Sequence, residues 1–187
     1  MDTLPPDESS KHALPPRLRP WVWAVRTMCV LGAAILVLVP LWFWSSPEWV
    51  ARLAERLAGV HEVTVDARAL RLGALASVAP VALGLYALWQ LWQLFAGYAQ
   101  GRVFTRTALT HLRRFAWSLL AGALLAPALR SLMSVLLTLG NPPGRRHLVI
   151  GLSWDDYMAV LLAAVLIVIA SVMAEAVRLA EDNEGFV

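Results

Sequence analysis

The sequence predicts an all-α integral membrane protein with four transmembrane helices. Of its 187 residues, 59% are hydrophobic and only 16% are charged, and the mean hydropathy is +0.62. A soluble domain of this length usually has about 45–50% apolar and about 25% charged residues. The apolar residues also gather in four blocks, each long enough for the roughly 20 residues that cross a hydrocarbon core. Both observations are typical of a membrane protein.

The chain begins with residues 1–20, a segment rich in proline and charged side chains, and this composition predicts a disordered cytoplasmic tail. The first apolar block, residues 21–44, is longer than the apolar part of a signal peptide, which has roughly 7–15 residues. It also lacks a following small-residue cleavage site, so we expect it to remain as the first span. Tryptophans lie at both ends of this block, where interfacial aromatic side chains are common.

The sequence of the first extracytoplasmic loop predicts a short amphipathic helix. Ser46, Pro47 and Glu48 supply a capping hydroxyl, a proline for the first turn and an acidic side chain. Apolar side chains then share one face of the helix and charged side chains the other, so we expect this helix to lie along the membrane surface. Weak alternation over residues 60–71 predicts one short strand.

Three further apolar blocks predict the remaining spans, at residues 73–95, 115–139 and 154–177. Thr105 is a favourable N-cap for a long helix that begins amphipathic and continues as the third span. Ser153, followed by Asp156 three residues later, has the pattern of a cap for the fourth span. The four-helix transmembrane domain is therefore predicted over residues 21–180, and residues 181–187 form an acidic cytoplasmic tail.

Four spans place both chain ends on one side of the membrane. Basic residues occur in similar numbers on the two sides, so their density has to decide the orientation. Residues 98–114 form a short loop with four arginines and no acidic residue, whereas the first loop on the other side mixes arginines with acidic side chains. Short basic loops stay in the cytoplasm. The sequence therefore predicts a protein of the bacterial cytoplasmic (inner) membrane with both termini in the cytoplasm.

No sequence pattern indicates catalysis, a cofactor or a metal site. The four histidines lie in four different segments, and the single cysteine, Cys29, lies in the first span, so no pair has the spacing of metal ligands. Serine-nucleophile motifs and phosphate-binding glycine loops do not occur. We expect no enzymatic activity and no cofactor. Although the pI is near 9.6, the basic residues are spread among short segments, which does not predict direct nucleic-acid binding.

Polar side chains near the spans are the first candidate functional residues, because such groups are costly within a bilayer. Arg130 lies deepest, in the third span. It either extends to the outer interface, pairs with Asp155 or Asp156, or takes part in a conformational switch. Other polar residues, at similar depth on different spans, are expected to form one polar cluster that stabilises helix packing. These residues are Arg26, Gln90, Gln93 and Glu175.

A second candidate site lies on the predicted cytoplasmic surface, where a basic segment faces an acidic tail. The basic residues are Arg102, Arg106, Arg113 and Arg114. The acidic residues are Glu181, Asp182 and Glu184. Because acidic side chains at a helix C-terminus oppose the helix dipole, we hypothesise that the tail folds back on the arginines. The alternative is that these arginines only set the orientation and bind anionic lipid headgroups.

Two stretches of the chain carry a family resemblance. The first contains Phe95, Tyr98, Gly101, Val103, Phe104 and Thr105 and continues from Leu112 to Trp117, and the second runs from Ala174 to Val187. Both are similar to segments of a bacterial four-span membrane family, the domain of unknown function 2975. The resemblance implies four spans, no assigned activity and no catalytic residues. It also implies a regulatory context, because members are often encoded beside a small helix-turn-helix regulator.

Three classes of function follow from these features. The first is a regulatory or interaction protein that binds a soluble cytoplasmic partner, such as a helix-turn-helix regulator. The second is a small transporter or channel subunit, although no span carries a carboxylate near its midpoint for proton coupling. The third is an assembly factor for a larger membrane complex. Small residues such as Gly32, Gly84 and Gly122 favour close helix packing, either within one chain or in a homo-oligomer in the lipid bilayer.

Overall fold

The computed structural model describes residues 19–50, 52, 67–101, 105–138 and 151–184. Within these ranges it contains four long helices: α1 (Arg19–Ser45), α2 (Ala67–Ala99), α3 (Arg106–Thr138) and α4 (Trp154–Glu184). All four are long and apolar enough to cross a membrane, and only 6% to 11% of the most apolar stretch of each helix is buried inside the chain. The outward-facing apolar side chains therefore require a lipid environment. The predicted multi-pass membrane protein with four transmembrane helices is confirmed.

Local sequence signals produce the expected helix starts and turn. The Ala108 N–H donates to Thr105 Oγ1 at 3.2 Å, so Thr105 caps α3. The Asp156 N–H donates to Ser153 Oγ at 3.2 Å, and the Ser153 N–H donates to Asp156 Oδ2 at 2.8 Å, which is a reciprocal capping box. Gly101 has a φ of 78°, a left-handed conformation that favours glycine, and it closes the turn between α2 and α3.

Two helices extend beyond the predicted spans. Because α2 begins at Ala67, the strand predicted over residues 60–71 is wrong for residues 67–71, which are helical. Residues 60–66 lie outside the described part of the chain. At the other end of the sequence, α4 continues to Glu184, so no structural break separates the transmembrane domain from residues 181–184. The predicted N-terminal tail lies outside the described residues up to residue 18.

The short helix after α1 is described only at its beginning. Residues 47–50 and 52 are helical, and the rest of the predicted amphipathic helix lies outside the described residues. The Val50 side chain is fully buried, and Phe43, Trp44 and Leu70 pack against it. The start of this helix therefore contacts the ends of α1 and α2.

The helices pack in chain order. Substantial contacts join α1 to α2, α2 to α3 and α3 to α4. Neighbouring helices run antiparallel, since Gly32 faces Leu88 and Gly84 faces Leu36. Small residues allow close approach, and Ala116 on α3 is fully buried. We call the end with the α2–α3 turn, Arg19 and Glu184 the hairpin end, and the opposite end the loop end.

Candidate functional site

Arg130 connects two helices at the loop end. Its Nη2 donates to Asp156 Oδ2 at the start of α4. The same oxygen accepts hydrogen bonds from the Ser153 N–H and the Ser153 hydroxyl, both at 2.8 Å. The Asp156 side chain is only 7% exposed, whereas that of Arg130 is 51% exposed. Of the alternatives that the sequence left for Arg130, the structure shows pairing with Asp156, which links α3 to α4.

The four residues of the predicted polar cluster do not form one cluster. No hydrogen bond or ion pair joins Arg26, Gln90, Gln93 and Glu175 within the described part of the chain. The physical reason is helix order, because Glu175 lies on α4, which makes no substantial contact with α1. Glu175 instead pairs with Arg178, one turn along the same helix, at 3.0 Å.

Arg26 lies between two indole rings at the hairpin end. Its guanidinium carbon is 5.0 Å from the centroid of Trp23 on α1 and 4.6 Å from that of Trp92 on α2. Its Nε is buried and has no hydrogen-bond partner among the described residues. Each cation–π contact contributes about 0.5–1 kcal/mol or more when desolvated. Arg26 therefore joins α1 to α2 through aromatic contacts.

Gln90 has a partner that the sequence analysis missed. Its side chain is nearly buried, and its Oε1 is 2.6 Å from His111 Nδ1 on α3, at hydrogen-bonding distance. The sequence contains a signal for this contact, because Gln90 and His111 are almost equally far along the chain from the turn at Gly101. Residues placed in this way reach the same level in an antiparallel hairpin. His111 therefore joins α2 to α3 through this hydrogen bond and does not belong to a group of metal ligands among the described residues.

A small polar cavity of about 270 Å³ lies beside this hydrogen bond, where the α2–α3 hairpin closes. Gln93 and His111 line it from opposite helices, together with Gln100 and Thr105. Gln93 thus lies near Gln90, although the described contacts include no hydrogen bond between them. No group of three or more metal-ligating side chains occurs in the described ranges.

The hairpin end contains more helix than a membrane requires. With 33 residues in α3 and 31 in α4, these helices are roughly 46–50 Å long at a rise of about 1.5 Å per residue. A hydrocarbon core is only about 30 Å thick. Charged residues gather where α3 begins and α4 ends, so the excess length projects there. We call residues 106–114 of α3 and residues 175–184 of α4 the stem.

The two halves of the stem enclose a groove of about 330 Å³. Arg106 and Arg113 line it from α3, and Glu175 and Arg178 line it from α4. Arg102, the remaining residue of the predicted basic segment, lies outside the described residues. Among the described residues, this groove therefore has three arginines beside one carboxylate.

Residues 181–184 continue α4 as a regular helix instead of turning back. Because Arg178 lies at the level of Arg106, Glu184 lies roughly 9 Å further along the axis at about 1.5 Å per residue. The backbone of residues 181–184 therefore does not turn back towards the arginines, so this part of the tail does not support the fold-back hypothesis. Asp182 is exposed, and the side chains of Glu181 and Glu184 lie outside the described set.

A larger groove lies deeper, on the exposed side of α3 between α2 and α4, and has a volume of about 590 Å³. We call it the three-helix groove. Its lining includes Leu83, Tyr86, Arg113, Arg114, Trp117 and Ile167. Neither of the two arginines forms an ion pair with a carboxylate within the described part of the chain. The groove combines an uncompensated positive charge with apolar walls.

Comparison with known proteins identifies a family but no described relative. The family model described as Protein of unknown function (DUF2975) matches residues 20–186. This match covers the α2–α3 turn and, apart from Arg19 and Val187, all four helices and both stretches on which the sequence resemblance depends. No curated protein and no solved structure matches the chain.

Proposed function

The chain belongs to the DUF2975 family of proteins of unknown function, and we propose that it is a regulatory interaction protein of the bacterial cytoplasmic membrane. Both termini lie in the cytoplasm, and the acidic end of α4 binds a soluble partner. The proposal includes neither catalysis nor a cofactor. Its basis is the continuation of α4 as a helix to Glu184, beyond the start of α3, with an acidic end.

The acidic end of α4 concentrates negative charge at the hairpin end. Glu181, Asp182 and Glu184 lie in the last turn of α4, where the helix dipole already concentrates negative charge. Arg178 is engaged by Glu175 one turn earlier. A basic partner surface would compensate this charge and gain favourable electrostatic contacts.

This chemistry fits a DNA-binding regulator. Such proteins present a basic surface to the phosphate backbone of DNA. The acidic end of α4 is negatively charged, as the DNA phosphates are. The resemblance described above points to the small helix-turn-helix class. A regulator held at the stem would have its basic surface covered, so that the membrane protein would sequester it from DNA.

The proposed orientation rests on charge distribution. The hairpin end carries Arg106, Arg113 and Arg114 within nine residues, and no acidic residue lies between them. Dense basic segments next to span ends stay in the cytoplasm. This orientation places the stem where a soluble regulator can reach it.

The decisive experiment is affinity purification of the full chain from native membranes in mild detergent, with mass spectrometry of the bound proteins. The test variant carries Glu181→Gln, Asp182→Asn and Glu184→Gln, which remove the charge but keep the size of each side chain. We expect a small basic DNA-binding protein to co-purify with the unmodified chain and to fall by about tenfold with the variant, because charge attraction supports binding. Binding should also weaken as salt increases.

The matched control carries Glu48→Gln and Asp155→Asn, which neutralise exposed acids at the loop end. It should retain the partner fully. A phosphatase fused after Val187 serves as the topology control and should be inactive if the C-terminus is cytoplasmic. Recovery of the same proteins with both variants, or of copies of this chain alone, would contradict the proposal.

A further inference from the structure

We propose that the three-helix groove is a binding site for one anionic phospholipid. Arg113 and Arg114 hold the headgroup phosphate, and an acyl chain lies along Leu83, Trp117 and Ile167. This is a specific lipid site within the membrane, and it is distinct from the partner site at the acidic end of α4.

The first argument is charge. Both arginines are exposed, and neither pairs with a carboxylate in the described ranges. Among the described residues, the groove lining contains no acidic side chain. Guanidinium groups form strong, often bidentate hydrogen bonds with phosphate oxygens. A second positive charge next to the phosphate favours a headgroup with net negative charge over a zwitterionic one.

The second argument is the depth profile of the groove. Leu83 packs at the level of Gly122, which is eight residues beyond Arg114 on α3, or roughly 12 Å towards the membrane centre at about 1.5 Å per residue. The walls therefore change from guanidinium groups to aliphatic side chains over the distance that separates a lipid phosphate from its upper acyl carbons. A free phosphate ion would use only the upper part.

The third argument is the aromatic side chains between these levels. Trp117 follows Arg113 by one helical turn, so the two side chains share a face of α3. Trp117 and Tyr86 are 55% and 45% exposed, and both line the groove. Amphipathic aromatic rings are typical of the headgroup level in membranes. Their position marks where the headgroup region ends and the acyl region begins.

The ordering of the helices explains why the groove exists. Since α3 packs between α2 and α4, these two helices form side walls and α3 forms the floor. The groove is open to the surrounding bilayer, through which a lipid can enter sideways. Basic pockets between membrane helices on the cytoplasmic side are a recurrent way of binding anionic headgroups.

The test is native mass spectrometry of the full chain in detergent, titrated with dioleoylphosphatidylglycerol or with dioleoylphosphatidylcholine. We expect the unmodified chain to bind phosphatidylglycerol about tenfold more tightly, which is the selectivity that charge-assisted contacts provide. The variant Arg113→Gln with Arg114→Gln should lose this preference. The matched control, Arg68→Gln with Arg71→Gln, changes two arginines at the loop end and should keep it.

A second variant separates a lipid from a free anion. Ile167→Trp fills the lower groove without changing the charge, and it should weaken phosphatidylglycerol binding severalfold. Millimolar inorganic phosphate should not displace the lipid. Displacement by phosphate, or unchanged binding by Ile167→Trp, would assign the arginines to a free anion and overturn the proposal. Equal binding of the two lipids by the unmodified chain would also overturn it.

The outcome is independent of partner binding. The neutralised α4 end, with Glu181→Gln, Asp182→Asn and Glu184→Gln, should bind phosphatidylglycerol as the unmodified chain does. Loss of lipid selectivity in that variant would show that the two sites are not separate and would contradict the proposed lipid site in the three-helix groove.

Discussion

At the loop end, Arg130 and Asp156 form an ion pair across two helices, whereas at the hairpin end Arg113 and Arg114 have no carboxylate partner in the described part of the chain. The pair of Arg130 and Asp156 joins α3 to α4, and the Ser153 N–H and hydroxyl donate two further hydrogen bonds to the Asp156 carboxylate. Arg113 and Arg114 instead line an open groove. Polar groups that hydrogen-bond to one another hold helices together, whereas charged side chains without an ion-pair partner are available to bind a ligand. The two proposals accordingly give the loop end a structural role and the hairpin end a binding role.

The largest expected effect comes from Asp156→Ala. This change removes the carboxylate half of the capping box of α4 and leaves the Arg130 guanidinium without its partner. Breaking a buried pair costs about 3–5 kcal/mol, but the Arg130 side chain is half exposed, so we expect a loss of about 2 kcal/mol. Unfolding of the purified protein by increasing dodecyl sulfate in mixed micelles would measure it.

Two neighbouring substitutions control this prediction. Asp156→Asn keeps a capping oxygen and removes the charge, so its effect should be intermediate. Asp155→Asn alters an exposed acid in the same first turn and should change stability little. If Asp155→Asn destabilises the protein as much as Asp156→Ala, the ion pair is not what stabilises the loop end.

A steric substitution tests the other helix pair at the loop end. A Cβ at Gly73 would overlap the ring of Trp44. That ring cannot move freely, because Trp44 Nε1 donates to Ser77 Oγ at 3.0 Å and the side chain packs on Val50. Overpacking costs about 1–3 kcal/mol. Gly73→Ala should therefore lower the unfolding free energy by about 1–2 kcal/mol in the same assay.

Gly122→Ala is the matched control, because its Cβ would meet Leu83 at 3.7 Å, an ordinary contact distance. It should be neutral or slightly stabilising. Gly84→Ala should lie between the two, since its Cβ would come within 2.6 Å of the flexible end of Leu36. Equal stability of the Gly73 and Gly122 variants would mean that α1 and α2 do not pack as described.

The smallest expected effect concerns the neutral hydrogen bond at the hairpin end. Interhelical hydrogen bonds in membranes contribute about 0.6 kcal/mol on average and up to about 1.7 kcal/mol. A double-mutant cycle with Gln90→Leu and His111→Phe should give a coupling free energy of about 1 kcal/mol. The same cycle with Gln93→Leu in place of Gln90→Leu should give a value near zero. A coupling free energy that is no larger for Gln90 than for Gln93 would show that the hydrogen bond between Gln90 and His111 does not stabilise the hairpin.

Parts of both candidate sites could be read from the sequence. Pairing of Arg130 with Asp155 or Asp156 is one of the alternatives that the sequence leaves open, because all three lie near the outer ends of consecutive spans. The sequence also shows a basic segment without acidic residues before the third span. It could not show that Arg26 lies against Trp92, or that Glu175 is far from α1, because these facts depend on which helices are neighbours.

The extent of α4 is another feature that the sequence leaves open. The apolar block ends at residue 177 and an acidic tail is predicted over residues 181–187, but neither observation fixes where the helix ends. The structure continues the helix to Glu184, because backbone hydrogen bonding within a helix does not require apolar side chains once the chain leaves the membrane. This continuation is the feature on which the proposed function depends.

The sequence by itself determined the fold class, the helix starts at Thr105 and Ser153, and the turn at Gly101. These depend on local properties: apolar length, capping chemistry and the freedom of glycine at positive φ. Only the tertiary structure decided which helix faces meet, and it showed that Gly32, Gly84 and Gly122 pack within one chain. The physical reason is that lipid tails are as apolar as helix surfaces, so hydrophobicity does not reveal which face a membrane helix turns to its neighbour.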